Sequence, residues 1–388
     1  MSEVNSIGLD VSVFTGVLDI GDVDARKTLT RQLVALVADP ATPAIERDQV
    51  TPVLLKLSVD PSVEVRRVLA EELALEPLLH PDVAFSIIAD IDEIALPFLA
   101  QTPALDSWHQ IAILRVGDEA RQITIAKRVD LSAEAAVYVI KVGALKVALA
   151  LFDNSQIVLE AADYHALYKR FGQAEAMCEK LLAQSDLPLD IRILQARRTA
   201  LRMRTLMAEK GWIAANDAVE LVSDAEDKAV MQVLVEATPV ERAKVTNFMA
   251  AKNMLTSALI VRAAATGQMT VVEAALAHLS GLNAQRASEQ MYSRSSLGFK
   301  SIFKRSGLPP SCFGILRAAC DVVIDMREEG SDLSASEFGG RVLEALMTRY
   351  EAMDAADRAK QIEYLGRYGE ERIRKVAKRL KADLVRAA

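Results

Sequence analysis

From Thr42 onward the apolar residues fall at helical spacing, and Pro, Gly, Asp or Asn interrupts the pattern every 8–15 residues. No extended alternation of β-branched and polar residues occurs, so the pattern predicts helices and almost no sheet. Residues 1–25 show no sustained period and predict a lead-in, partly irregular over 1–41. Between about 73 and 177 the apolar positions also align at a step of 26 residues. Leu79, Leu105, Leu131 and Ile157 form one column, and Ile87, Ile113 and Val139 a second, with Ile88, Leu114 and Ile140 beside it. A further column runs through Leu73, Leu99, Ile125, Leu151 and Met177. Each step divides into two short helices, "DVAFSIIADI" then "EIALPFLAQ", and "AEAAVYVIKVG" then "ALKVALALFDN". A two-helix unit cannot bury its apolar face alone, so units in register must stack. The expectation is an all-α chain: a right-handed helical-repeat solenoid over 42–187, then a helical domain over 188–290 and a helical C-terminal region over 291–388.

Beyond Pro188 the periods lengthen. "DIRILQARRTALRMRTLMAEKG" predicts one long helix stopped at Gly211. "TPVERAKVTNFMAAKN" opens with Thr238 as N-cap, Pro239 in the first turn and Glu241 completing a capping box. In "SLGFKSIFKRSGLPP" (296–310), Phe299, Ile302 and Phe303 share one helix face, Lys300, Lys304 and Arg305 lie on another, and Gly307 supplies a left-handed stop. That stretch reads first as a packed turn between helices, with its cations left in water as a candidate anion or partner site.

Charge is unevenly spread. Residues 1–187 carry 16 Lys+Arg against 28 Asp+Glu, and residues 188–388 carry 30 against 25. The last 34 residues, 355–388, hold 10 against 5. An acidic N-terminal half argues against nucleic-acid binding there, including the duplex-clamping mode of helical-repeat glycosylases, since it repels phosphate and carries one tryptophan, Trp108. In the final segment Ile373, Val376, Leu380 and Leu384 form an apolar stripe flanked by Arg372, Arg374, Lys375, Lys378, Arg379 and Lys381. This is a helix that either docks on its own domain or serves as an amphipathic arm for a partner groove or an anionic membrane surface. Arg198 and Arg202, one turn apart in "RRTALRMR", are a second candidate anion site, for a nucleotide or another phosphate ligand.

Composition narrows the rest. Hydrophobic residues make up 51%, charged residues 26% and aromatics 5%, a globular and helix-favouring mixture. No apolar run approaches the length of a membrane span, and the N-terminus lacks the pattern of a signal peptide. With Cys178, Cys312 and Cys320 as the only cysteines, a reduced cytoplasmic protein is expected. The four histidines, His80, His109, His165 and His278, have no metal-ligand spacing, and no nucleophile elbow, Walker loop or dinucleotide fingerprint occurs. No catalytic residue, metal or cofactor is therefore expected.

"DPSVEVRRVLAEEL" (60–73) resembles the D-x-x-x-x-V-R helix of HEAT-type repeats, with Arg66 and Arg67 expected to pair locally with Glu71 and Glu72. "LTSALIVRAAATGQMTVVEAALAHLSGL" (255–282) and "LGFKSIFKRSGLPPSCFGILRAACDV" (297–322) resemble the C-terminal signature of an uncharacterised alphaproteobacterial family, a domain of unknown function. The segments "SVEVRRVLAEEL", "IALPFLAQTPAL" and "ARQITIAKRVDLSAE" are similar to its N-terminal helical region. The resemblance implies a bacterial cytoplasmic protein with HEAT-like repeats and brings no catalytic residue with it. The function expected is a protein–protein interaction scaffold or adaptor in bacterial signalling. The alternative is a sensor of an anionic small ligand.

Overall fold

In a computed structural model, residues 22–211, 215–348, 355–369 and 371–387 are described, together with 16 and 18. Among them are 22 α-helices, two short 3-10 turns and no strand. The chain divides into two units, Met1–Leu187 and Pro188–Ala388.

The N-terminal unit holds α1 (Val23–Ala38), α2 (Ala44–Ser58), α3 (Val63–Leu73), α4 (Pro81–Ile88), α5 (Asp92–Gln101) and α6 (Ser107–Val116). It continues with α7 (Glu119–Ala126), α8 (Ala133–Lys141), α9 (Leu145–Ala150), α10 (Ala161–Phe171) and α11 (Glu175–Leu182). Helix α1 falls inside the expected lead-in: Asp22 caps it, and Leu29, Leu33, Val34 and Val37 are buried along one face. The helices form two rows. The odd-numbered helices α1 to α11 pack each on the next but one, as do α2 on α4, α6 on α8 and α8 on α10. Helices α4 and α6 meet through an edge-on Phe85–His109 ring pair. All the residues of the 26-residue columns are buried except Ile157, which is partly buried.

Buried and partly buried side chains join one helix pair to the next. Asn154, after α9, donates to the carbonyls of Ala126 and Arg128 at the end of α7. Arg128 in turn donates to the carbonyls of Leu99 and Thr102 at the end of α5. Arg170, near the end of α10, reaches the Val139, Ile140 and Gly143 carbonyls that close α8. Helix ends leave four carbonyls without intrahelical donors, and these contacts satisfy several of them across helix pairs. They also place the C-terminal ends of α5, α7 and α9 on one edge of the unit. Arg66 does not pair with Glu71 or Glu72: its guanidinium bonds Asp90 at 2.7 and 3.0 Å and the Asp60 carbonyl at 2.7 Å. The aspartates lie in turns packed beside α3, closer to its core-facing arginine than the exposed glutamates of its own helix.

The C-terminal unit holds α12 (Leu189–Lys210), α13 (Ala215–Glu236), α14 (Pro239–Ala251), α15 (Ser257–Ala265), α16 (Met269–Ser280) and α17 (Ala284–Met291). After these come α18 (Ser296–Ser306), α19 (Phe313–Glu329), α20 (Ala335–Thr348), α21 (Ala355–Tyr368) and α22 (Glu371–Ala387). Gly211 and Gly307 end their helices at φ +64° and +67°. Thr238 and Glu241 form the expected capping box. One hydrophobic core runs from Ile193 to Ala377, so the regions expected to separate near 290 share it. Its centre is α15, in which every residue from Leu259 to Ala265 is buried and which touches α13, α16, α19, α20 and α21. A helix apolar on all sides belongs in the middle of its fold.

Candidate functional site

Arg262 is the exception in that central helix, the single cation in "SALIVRAAA". Burying a guanidinium requires partners, and α13 provides them. Asp224 accepts from Arg262 Nη2 at 2.5 Å, and Asp227 Oδ2 lies 3.7 Å from its Nε. Lys228 pairs with Asp224 at 3.0 Å from one turn further along. On the other side the Arg262 guanidinium sits 5.0 Å from the centre of the Tyr368 ring, which Arg367 also overlies at 5.3 Å. Burial works against ionisation of Asp224, but the bonds from Arg262 and Lys228 outweigh it and hold its carboxyl below the ordinary value. At Asp227 burial wins, and its carboxyl is pushed up despite Arg262.

This cluster forms one wall of a cleft of ≈ 560 Å³ bounded by α13, α15, α21 and α22. The facing wall carries Arg374, Lys378 and Lys381 from α22. Lys381 is tied to Glu363 at 2.9 Å. The Nε atoms of Arg262 and Arg374 are buried and find no hydrogen-bond acceptor among the described residues. Helix α22 reaches this position because its apolar face docks: Ile373 and Ala377 are buried, Leu380 packs against the core, and a Cβ on Gly339 of α20 would stand only 3.2 Å from Ile373 Cγ1. The expected amphipathic arm is therefore largely spent inside its own unit. Val376 remains exposed, and the side chain of Leu384 lies outside the described residues.

The other candidate cations are dispersed. Arg198 borders a shallow groove with Arg197 and Arg204, but Glu226 and Asp227 share it and Arg197 is already paired with Glu226 at 2.6 Å. Arg202 is exposed one turn on. Lys300 borders a recess with Arg317, Asp321 and Asp325, where carboxylates offset the cations and Arg317 bonds Asp321 at 2.6 Å. Lys304 and Arg305 are exposed in the last turn of α18, where cations complement the helix dipole. The apolar side of that stretch is packed: Phe299 and Phe303 each meet the Phe313 ring edge-on, at 5.3 and 5.2 Å.

No group of three or more His, Cys, Asp or Glu suited to a metal occurs among the described residues. The three cysteines are buried, and burial pushes the Cys312 and Cys320 thiols up, away from the reactive thiolate. Sequence reasoning missed Arg262, Asp224, Asp227 and Tyr368. The available signal was a lone arginine in an otherwise apolar helix, which must be buried and therefore partnered.

Neither the curated proteins nor the solved structures include a match to this chain. Over residues 94–356, which take in Asp224, Asp227 and Arg262 but stop short of the α22 cations, the sequence model of one family matches, and the chain belongs to that family, DUF2336, described as uncharacterised proteins conserved in bacteria.

Proposed function

We propose that this chain is a non-enzymatic interaction protein, a cytoplasmic scaffold or adaptor in bacterial signalling, whose N-terminal unit is a HEAT-like right-handed solenoid. The two-row packing of its helices and the carbonyl contacts between successive pairs support the solenoid reading.

One observation carries the interaction reading. The edge on which the odd-numbered helices end bears a succession of exposed apolar side chains. Leu75 and Leu78 follow α3, Trp108 opens α6, Val129 follows α7 and Val158 precedes α10. Exposed apolar residues at the connections do not by themselves mark an edge, since Val59, Ile91, Val116 and Val142 are exposed at the intervening ones; what sets this edge apart is its tryptophan. Trp108 is 71% exposed, and tryptophan is among the residues that dominate binding energy at protein interfaces. Acidic groups spread through this unit would favour a partner with a basic rim around an apolar patch.

The test is affinity capture from bacterial lysate with the wild-type chain and a Trp108→Ala/Val129→Asp variant. Both side chains are exposed, so the variant is expected to melt like the wild type. A partner retained by the wild type and lost by the variant supports the reading; the same proteins captured by both would sink it.

A further inference from the structure

We propose that the cleft between α13, α21 and α22 is a binding site for a phosphate-bearing small molecule, gripped by Arg374 and Lys378 against the Arg262–Tyr368 wall. This site is independent of the interaction edge in the other unit.

Arg374 and Lys378 are four residues apart on α22, so they share a face, and both line the cleft. No carboxylate among the described residues forms an ion pair with either, unlike Lys381, which Glu363 holds. Of the other charges at the cleft, Arg262 and Lys228 offset Asp224 and Asp227, and Arg367 adds a further cation to the lining. Glu371 acts on Arg374 electrostatically but pairs with Lys375, so two cations one turn apart are left to suit a dianion, and a phosphate offers oxygens to both. Arg374 adds geometric weight, because its Nε is already buried without an acceptor and an anion in the cleft would provide one. Arg262, whose side chain is 5% exposed, differs: its Nε also lacks a hydrogen bond but already faces Asp227 Oδ2 at 3.7 Å.

Size sets the rest of the ligand. A space of ≈ 560 Å³ falls in the range of pockets for organic ligands and exceeds what a bare phosphate fills. Besides Ser223, Gly366 and Arg367, its lining includes the apolar Leu221, Ala258, Ile362 and Ala377. The phosphate is thus expected at the α22 wall and an uncharged organic body against those residues.

The experiment is calorimetric titration of the full chain with inorganic pyrophosphate, at ionic strength held constant with sodium chloride. Saturable binding is expected, weakened about tenfold or more in Lys378→Gln and in Arg374→Gln, since each removes a charge-assisted contact. Lys378→Arg should restore it, and Lys300→Gln should leave it unchanged. Lys378 is exposed, so its variants keep the fold, which a circular dichroism melt verifies. Absence of saturable binding would overturn the proposal, as would binding that survives Lys378→Gln or disappears equally in Lys300→Gln.

Discussion

Arg66 and Asp90 make a two-bond pair in which the aspartate side chain is 8% exposed. Burial alone would raise that carboxyl, yet bonds from Arg66 and from the Ile91 amide hold it below its ordinary value. Removing the arginine leaves a buried charge with only an amide for company. Arg66→Ala is therefore expected to cost about 3 kcal/mol of N-terminal unit stability at pH 7, read by urea denaturation. A depressed folded pKa means that the stabilisation exists at neutral pH and disappears as pH falls through that value, so the gap between wild type and variant should close in acid. A gap that stays constant down to pH 2 would show that Asp90 is not the source. Asp227 has the opposite sign. Its carboxyl is raised by burial, so its ionisation destabilises the fold as pH rises through the folded pKa. Asp227→Asn should raise the melting temperature at pH 7.5 and give a smaller gain at pH 4. A lower melting temperature at pH 7.5 would mean that the 3.7 Å approach to Arg262 outweighs desolvation.

Helix ends were the most legible features of the chain, because local chemistry fixes them. Thr238 with Glu241, and the glycines at 211 and 307, act where their own sequence neighbours place them. Gly307 adopts φ +67° with no atom near its missing Cβ, so an added methyl meets only backbone strain. Gly307→Ala should cost about 1 kcal/mol by denaturant titration, and a neutral result would show that the turn relaxes. The apolar stripe of Phe299, Ile302 and Phe303 was legible for the same reason, since periodicity alone names the buried face. That of Ile373, Val376, Leu380 and Leu384 was legible in part, since Ile373 is buried and Leu380 partly buried while Val376 is exposed. What the buried face packs on was not. The α22 stripe has the same pattern whether it meets a partner or α20 and α21, and Gly339, which admits Ile373, lies 34 residues away. The cleft is illegible for a stronger reason: Asp224, Arg262 and Arg374 are brought together by three helices, and no spacing in the sequence encodes their meeting.

At the scale of the molecule, the step at Pro188 separates two ways of making a core. Before it, short helices bury aligned columns between neighbours, so most contacts are local in sequence. After it, a single core wraps α15 and draws on residues as distant as Ile193 and Ala377. The segment matched by the family crosses this boundary, beginning inside α5 and ending at 356. It therefore follows neither unit, and the last two helices that complete the C-terminal core lie almost wholly beyond it. If the core defines the folding unit, a fragment of residues 188–388 should unfold in one cooperative transition by calorimetry, because it holds every residue of that core. A fragment ending at 356 should not, since it loses Ile362, Leu365, Tyr368, Ile373 and Ala377, all buried. Each removed contact leaves apolar surface of α15 and α20 in water, at about 25 cal/mol per Å². Equal cooperativity in the two fragments would show that α21 and α22 are an addition to a core already complete without them, and the cleft would then have one dispensable wall.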